Sequence, residues 1–221
     1  MIAQAFKRAD VTVGPHRLEG TLLLPERPTG LIIFAHGSGS SRFSPRNVQV
    51  AESLTARGFA TLLFGLLLPE ESEHRRNVFD IALLAARLQE AIVWALQEKD
   101  IAELPIGLFG ASTGAAAALV AAAQERAPIA AVVSRGGRPD LAAKSLARVK
   151  APTLLIVGGF DLDVLELNGW APRRLSCAAR LEIVPGATHL FEEPGTLEEV
   201  ARITGDWFVE HPPDRDERGR R

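Results

Sequence analysis

The sequence predicts an α/β fold in which helices cover both faces of a mostly parallel sheet. Short, largely apolar runs recur along the 221 residues, for example at positions 31–35, 105–110 and 153–157. Such runs are typical of strands that are buried on both faces. The segments between them carry apolar residues at helical spacing. Because strands that alternate with helices form parallel sheets, the pattern favours this class.

The elements can be placed in order along the chain. Residues 11–13 and 18–23 flank a Gly-Pro turn, which predicts an antiparallel opening hairpin. Further strands are predicted at 31–35, 60–64, 105–110, 129–133, 153–157 and 181–184, and helices at 48–55, 81–99, 113–123, 140–147 and 196–209. We expect residues 1–211 to form one domain. Residues 212–221, in which arginine alternates with acidic residues, predict a disordered tail.

Composition narrows the range of partners. A formal net charge of −2 gives no electrostatic reason to expect nucleic acid or an anionic membrane surface. The single cysteine, Cys177, excludes an internal disulfide framework and a cysteine-rich zinc site. Residues 1–8 lack the apolar core of a signal peptide, and no apolar run approaches a membrane span. We therefore expect a cytoplasmic monomer or homodimer that acts on a small molecule.

The most informative motif is Gly-Ala-Ser-Thr-Gly at residues 110–114. An apolar strand precedes it and an alanine-rich helix follows, which is the context of a nucleophile elbow. In that turn Ser112 would stand clear of the sheet, at the N-terminus of a helix that favours negative charge. The alternative is an ordinary glycine-rich connection between a strand and a helix.

A serine nucleophile needs a base and an acid to orient that base. His189 lies in a loop directly after the strand at 181–184, and Asp161 follows the strand at 153–157. The order serine, aspartate, histidine is the one that this architecture uses. Asp163 is the rival acid. We assign solvated or structural roles to the remaining histidines and to three nearby carboxylates, namely His16, His36, His74, His211, Glu166, Glu192 and Glu193.

The developing oxyanion needs preorganised donors. One predicted donor is the backbone N–H of Thr113, and the other is that of Ser38 in the turn His-Gly-Ser-Gly at residues 36–39. Gly37 and Gly39 would let the backbone approach a substrate. The same turn could be a phosphate loop, although it lacks the Gly-Lys-Ser/Thr ending and the Gly-x-Gly-x-x-Gly spacing.

Together these four motifs resemble the α/β-hydrolases, and most of all their small dienelactone hydrolase-like branch. The resemblance covers residues from about 10 to 210 and rests on the segments 36–39, 110–114, 158–161 and 186–189. It implies an α/β-hydrolase fold with eight strands, a Ser112, Asp161 and His189 triad, and no metal or cofactor. Dienelactone hydrolases proper use cysteine where this chain has serine. Similar small hydrolases carry aspartate where this chain has Gly65.

The residues between the motifs predict the shape of the substrate site. Only residues 134–152 separate the strands at 129–133 and 153–157, which leaves no room for a large lid. We expect an open site for small acyl groups or for accessible esters. The predicted substrate contacts, besides the glycines of the turn, are Arg42, Phe43, Leu66, Arg135 and Phe160.

Two of these contacts have structural alternatives. Arg135 could bind a carboxylate or phosphate of the substrate through a bidentate pair, and a structural salt bridge is the alternative that we favour. Leu66 could form an apolar wall at the mouth of the site or lie in the core beneath a loop. The residues leave this choice open.

The sequence thus predicts a serine hydrolase that cleaves carboxylic esters through an acyl-enzyme. A thioesterase, an amidase or an acyltransferase would use the same residues. A binding module that retains the fold without catalysis is the alternative from another class. The intact Ser112, Asp161 and His189 argue against it, because binding alone requires none of them.

Overall fold

The structure is a computed structural model that describes residues 6–124 and 127–212. Its described residues contain eight strands that form one sheet in the order β1-β2-β4-β3-β5-β6-β7-β8. The strands are β1 (Phe6–Val13), β2 (Leu18–Pro25), β3 (Gly30–Ala35), β4 (Phe59–Phe64), β5 (Ile106–Ala111), β6 (Ile129–Arg135), β7 (Thr153–Gly158) and β8 (Ala179–Val184). The first two strands run antiparallel to their neighbours, and all other pairs are parallel. The predicted fold class is confirmed.

Helices cover both faces of this sheet. They are α1 (Pro45–Ala56), α2 (Pro69–Ser72), α3 (Arg75–Val78), α4 (Ile81–Ala95), α5 (Thr113–Ala122), α6 (Leu162–Gly169) and α7 (Thr196–Glu210). The apolar residues of α4 and α5 belong to one buried cluster, and those of α1 and α7 belong to another. The sheet therefore separates two cores.

Strand β3 shows why the apolar runs do not alternate with polar residues. Leu31 and Ile33 pack in the cluster of α4 and α5, whereas Ile32 and Phe34 pack in the cluster of α1 and α7. All six residues of the strand are buried. A strand between two helical layers has no face for polar side chains, so its sequence is apolar throughout.

Several helix boundaries differ from the prediction. Helix α4 ends at Ala95 rather than near residue 99, because the chain tightens into three-residue turns after Trp94. The helix predicted at 140–147 is instead two short 3₁₀ turns, Pro139–Ala142 and Leu146–Arg148. The predicted disordered tail lies, from residue 213 onward, outside the described residues.

The short helices α2, α3 and α6 were missed. Helices α2 and α3 contain four residues each, and α6 contains eight. Helices this short are unstable alone and form only through tertiary contacts, which periodicity does not reveal. Among the described residues, no helix is both long and apolar enough to cross a membrane.

Candidate active site

Ser112 occupies the sharp turn between β5 and α5. Its backbone has φ 51° and ψ −119°, a conformation that L-residues rarely adopt. The N–H of Ser112 donates to the carbonyl oxygen of Arg135 at 3.1 Å, which ties the turn to the end of β6. This strained geometry is that of a nucleophile elbow, in which the side chain projects from the C-terminal edge of the sheet.

The glycines of the motif allow the elbow to pack. A Cβ atom at Gly110 would collide with the backbone of Ala115 in α5. One at Gly114 would collide with the carbonyl oxygens of Ala35 and His36 at the end of β3. Larger residues at these positions would push α5 off the sheet. The pattern Gly-x-Ser-x-Gly therefore has a steric reason here.

Two neighbouring turns bring Asp161 to His189. These turns follow the adjacent parallel strands β7 and β8 and are joined by backbone hydrogen bonds, one of them from the Phe160 N–H to the Ala187 carbonyl oxygen at 2.9 Å. The Asp161 Oδ2 lies 2.6 Å from the His189 Nδ1. The Asp161 side chain is 13% exposed and that of His189 is 37% exposed, so the imidazole faces outward from a shielded acid. The rival, Asp163, is exposed in the first turn of α6.

The loop after β6 contacts both His189 and Ser112. Gly136 lies directly under the imidazole, because a Cβ there would be 3.3 Å from the His189 Cε1. The preceding residue, Arg135, accepts the hydrogen bond from the Ser112 N–H. In this conformation the hydroxyl of Ser112 is not hydrogen-bonded to His189. Such bonds are often long without substrate and tighten in the reacting complex.

The turn at residues 36–39 packs against the elbow. A Cβ at Gly37 would lie 3.1 Å from the Cβ of Ser112, so the turn's backbone touches Ser112. The Ser38 N–H, which we predicted to be an oxyanion donor, donates to the Thr113 Oγ1 at 2.9 Å. Gly39 has φ 69° and lies in open space. The two predicted sources of oxyanion donors are therefore adjacent.

His36 holds this turn from behind. Its Nδ1 lies 3.1 Å from the Gly37 carbonyl oxygen, and its Nε2 lies 3.2 Å from the Leu66 N–H. An N–H must donate to a carbonyl, so we assign the hydrogen to Nδ1 and the acceptor role to Nε2. Burial lowers the pKa of His36, although the bond to Gly37 opposes that shift. The structural role that we predicted for His36 fits these contacts.

A cleft of about 130 Å³ lies beside the turn. Its opposite wall comes from the segment after β4, and Leu66 belongs both to that wall and to the core. The two alternatives for Leu66 are thus not exclusive. The other residues along the cleft are His36, Gly37, Ser38, Gly39, Ser40, Ser41, Gly65, Leu67, Ser72, Val78 and Leu84. A second cleft, of about 140 Å³, contains none of the predicted site residues.

Four of the predicted substrate contacts do not line this cleft, namely Arg42, Phe43, Arg135 and Phe160. The Arg42 guanidinium turns to β2, where it donates to Glu19 at 2.9 Å and to Thr21 at 3.0 Å. Its contacts are therefore structural, in contrast to our prediction. Phe43 is 62% exposed under the Arg42 side chain, and Phe160 is 70% exposed beside Asp161. Neither ring lines the cleft.

The salt bridge that we favoured for Arg135 is not formed with any described residue. Its side chain is buried, and its best partner is the Asn47 Oδ1 at 3.4 Å. The Nε and Nη1 atoms are buried without a hydrogen-bond partner. Burial and the neighbouring Arg46 lower the pKa of Arg135 to about 10. The guanidinium lies over the Phe191 ring instead, 5.8 Å from its centroid.

One residue that supports the site was missed. Glu193, for which we predicted a solvated role, accepts from the Thr188 hydroxyl at 2.6 Å and from the Thr188 N–H at 3.1 Å. These bonds lower the pKa of Glu193. Because Thr188 precedes His189, the carboxylate fixes the loop that carries the imidazole. The sequence holds no signal for this, since the contact depends on how the loop bends.

Comparison with solved structures identifies the family to which this chain belongs. The chain is 51% identical to the dienelactone hydrolase from Anabaena variabilis ATCC 29413, with a TM-score of 0.89. The match covers 95% of this chain and 99% of that one. The chain belongs to the dienelactone hydrolase family. The resemblance drawn from the four motifs is thereby confirmed.

More distant structures share the fold of this family member. Est1E from Butyrivibrio proteoclasticus is 18% identical, with a TM-score of 0.74 over 92% of this chain and 98% of its own. At that identity the likeness concerns the fold alone. No family model matches the sequence.

A curated relative is more similar in sequence but longer. The protein called "Putative phosphoribosyl transferase MT0597" of Mycobacterium tuberculosis (strain CDC 1551 / Oshkosh) is 60% identical over 205 residues. Those residues are 93% of this chain and 46% of the relative. This member of the dienelactone hydrolase family therefore spans about half the length of the curated relative that it matches.

Proposed function

We propose that this protein is a serine hydrolase that cleaves carboxylic esters with small or accessible acyl groups. The observation that carries the proposal is the strained Ser112 elbow at the same sheet edge as the bonded Asp161 and His189 pair. A strained turn that lifts a hydroxyl from the sheet is of no use to folding. It is useful to nucleophilic attack.

Each residue then has a defined step. The Ser112 Oγ attacks the ester carbonyl carbon while the His189 Nε2 takes its proton. Asp161 accepts the Nδ1–H, which keeps Nε2 free as the base and stabilises the imidazolium. The protonated His189 gives its proton to the leaving alcohol, and an acyl-enzyme remains. Water, deprotonated by His189, then releases the acid and restores Ser112.

The oxyanion of each tetrahedral intermediate lies at the start of α5. Its donors would be groups of Thr113, beside the turn at residues 36–39, which packs on Ser112 through Gly37. The positive end of the α5 dipole adds to their effect. The acyl group would enter the cleft beyond that turn.

Phosphoribosyl transfer, the activity in the name of the mycobacterial relative, is not proposed for this chain. The matched region is 46% of that relative, so the name can describe the remainder of its length. A relay of serine, histidine and aspartate serves acyl transfer. Its residues do nothing for the displacement of pyrophosphate from a sugar.

The test is hydrolysis of p-nitrophenyl butyrate by the protein and its Ser112→Ala variant. We expect activity in the former and a loss of about 10⁴-fold or more in kcat in the latter. The Asp163→Asn variant serves as the matched control, because its exposed carboxylate lies next to the site without contacting His189, and it should retain activity. Equal rates with and without Ser112 would contradict the proposal.

A further inference from the structure

The Thr113 side chain lies where the elbow meets the turn at residues 36–39. Thr113 is 2% exposed, and its Oγ1 accepts a hydrogen bond of 2.9 Å from the Ser38 N–H. The two residues are 75 positions apart in the chain. This bond therefore connects the turn after β3 to the first residue of α5.

The bond leaves the Thr113 hydroxyl with a hydrogen to donate. A hydroxyl has one hydrogen and two lone pairs, and the Ser38 N–H uses one lone pair. Among the described residues, no acceptor takes the hydroxyl hydrogen in return. Because Thr113 directly follows Ser112, an oxyanion formed on Ser112 would lie beside both its backbone N–H and its side chain.

We infer that Thr113 is a catalytic residue through its side chain as well as its backbone, an inference that rests on the proposed esterase function. Its hydroxyl donates to the oxyanion, and the Ser38 N–H strengthens that donor by bonding to Thr113 Oγ1 from behind. Donors linked in such a chain polarise one another. The hydroxyl hydrogen stays on Thr113 throughout, so no proton is transferred.

This arrangement changes the role that the sequence predicts for Ser38. Its N–H donates to the Thr113 hydroxyl rather than to the oxyanion, so it acts on the oxyanion only through Thr113. The oxyanion site then consists of two donors from one residue, held in place by the turn. Gly37, which touches Ser112, allows the turn to approach closely enough for the Ser38 N–H to reach Thr113.

The experiment compares Thr113→Val with Thr113→Ser on p-nitrophenyl butyrate. Valine keeps the branched shape and the backbone N–H but removes the hydroxyl. We expect kcat to fall about 100-fold with little change in KM, because the lost bond forms only in the transition state. Serine restores the hydroxyl and should recover most of kcat. If the valine variant does not fold, Thr113→Ala replaces it.

A second measurement separates this role from a structural one. Binding of a trifluoromethyl ketone that mimics the tetrahedral intermediate should weaken about 100-fold in Thr113→Val, in step with kcat/KM. Titration with an organophosphonate counts the reactive Ser112 residues. A variant that was merely misfolded would lose titratable sites, whereas the inference predicts a full count with slower turnover per site.

Three results would overturn the inference. Unchanged kcat in Thr113→Val would mean that backbone N–H groups suffice. A faster variant would mean that the hydroxyl blocks the oxyanion site. If the unaltered protein shows no hydrolysis that depends on Ser112, the proposed function itself is wrong and the role of Thr113 is lost with it. The first two results leave the esterase function intact.

Discussion

The two ring nitrogens of His36 bind two different parts of the site. Nδ1–H donates to the Gly37 carbonyl oxygen, and Nε2 accepts from the Leu66 N–H. A second proton on the ring would occupy Nε2 and break the bond to Leu66. The neutral imidazole therefore holds the turn at residues 36–39 against one wall of the cleft.

This histidine predicts a pH dependence of stability. Burial lowers its pKa in the folded protein below the ordinary value of 6.5, so the unfolded chain takes up a proton that the folded chain does not. The free energy of unfolding should thus fall as the pH drops below 6.5 toward 5.

Thermal unfolding between pH 8 and pH 5 measures this dependence. His36→Gln should flatten the decline, because glutamine does not titrate in that range. His74→Gln, which removes an exposed histidine, is the matched control and should leave the decline unchanged. A steep decline that persists in His36→Gln would place its origin elsewhere.

Among single residues, the sequence identifies those whose chemistry is marked by a motif. Asp161 could be preferred to Asp163 because it ends a Gly-Gly turn after a strand. Glu193 could not be recognised, since its contact with Thr188 depends on loop conformation. Arg135 was predicted, from its place after β6, to contact substrate or to form a structural salt bridge. Its burial beside Asn47, without a carboxylate partner among the described residues, is a property that only packing reveals.

Helix α2 depends on a partly buried ion-pair network. With four residues it cannot be stable alone. Its Glu71 accepts from Arg87 of α4 at 2.8 Å and from the Leu68 N–H at 3.0 Å. Partial burial opposes ionisation of Glu71, but these donors outweigh it and lower its pKa. Arg87 is 6% exposed and also contacts Glu90, so it links α2 to the long helix.

Arg87→Met should therefore remove the link between α2 and α4. We expect the free energy of unfolding to fall by about 2–3 kcal/mol, because two partly buried carboxylates lose their charged donor. The KM for p-nitrophenyl butyrate should rise more than kcat falls, because α2 contributes Ser72 to the cleft and none of the reacting groups.

The matched control for this prediction is Arg202→Met on α7. Arg202 pairs with Glu199 and Asp206 at the surface, where its side chain is 57% exposed, and exposed pairs contribute little. Denaturant unfolding and steady-state kinetics measure both variants. Equal losses in the two variants would contradict a special role for Arg87.

Among the elements, predictability follows length and burial. Strands β3 to β7 were predicted because each is a short, largely apolar run between turn residues. Helices α4, α5 and α7 were predicted because they are long and rich in alanine or in apolar residues at helical spacing. The region at 140–147 was predicted as a helix and forms 3₁₀ turns. Both structures place residues i and i+3 on the same side, so their sequence patterns are alike over a few residues. Helix α6 was missed since it packs only a few side chains.

The whole molecule brings four motifs, spread over more than 150 residues, to one edge of the sheet. This could be predicted, because the C-terminal ends of parallel strands meet at one edge and ligands bind there. The size and lining of the cleft could not be predicted, because they depend on how the segment of α2 and α3 folds back over the turn.

The size of that cleft predicts a preference among substrates. A volume of about 130 Å³ is small for a binding site, and Leu66, Val78 and Leu84 are among the residues that line it. Measured with p-nitrophenyl acetate, butyrate, octanoate and dodecanoate, kcat/KM should be highest for the two short esters and decline for the long ones. A preference for dodecanoate would show that the acyl chain lies elsewhere.

The backbone conformation of Ser112 also lowers the stability of the folded protein. Glycine adopts φ 51° readily, whereas any other residue is strained there, at a cost of about 1–3 kcal/mol. Folding alone would be better served by glycine at this position. The most strained backbone conformation of the site therefore belongs to the residue that we propose as the nucleophile, and the proposed chemistry is kept at a cost in folding stability.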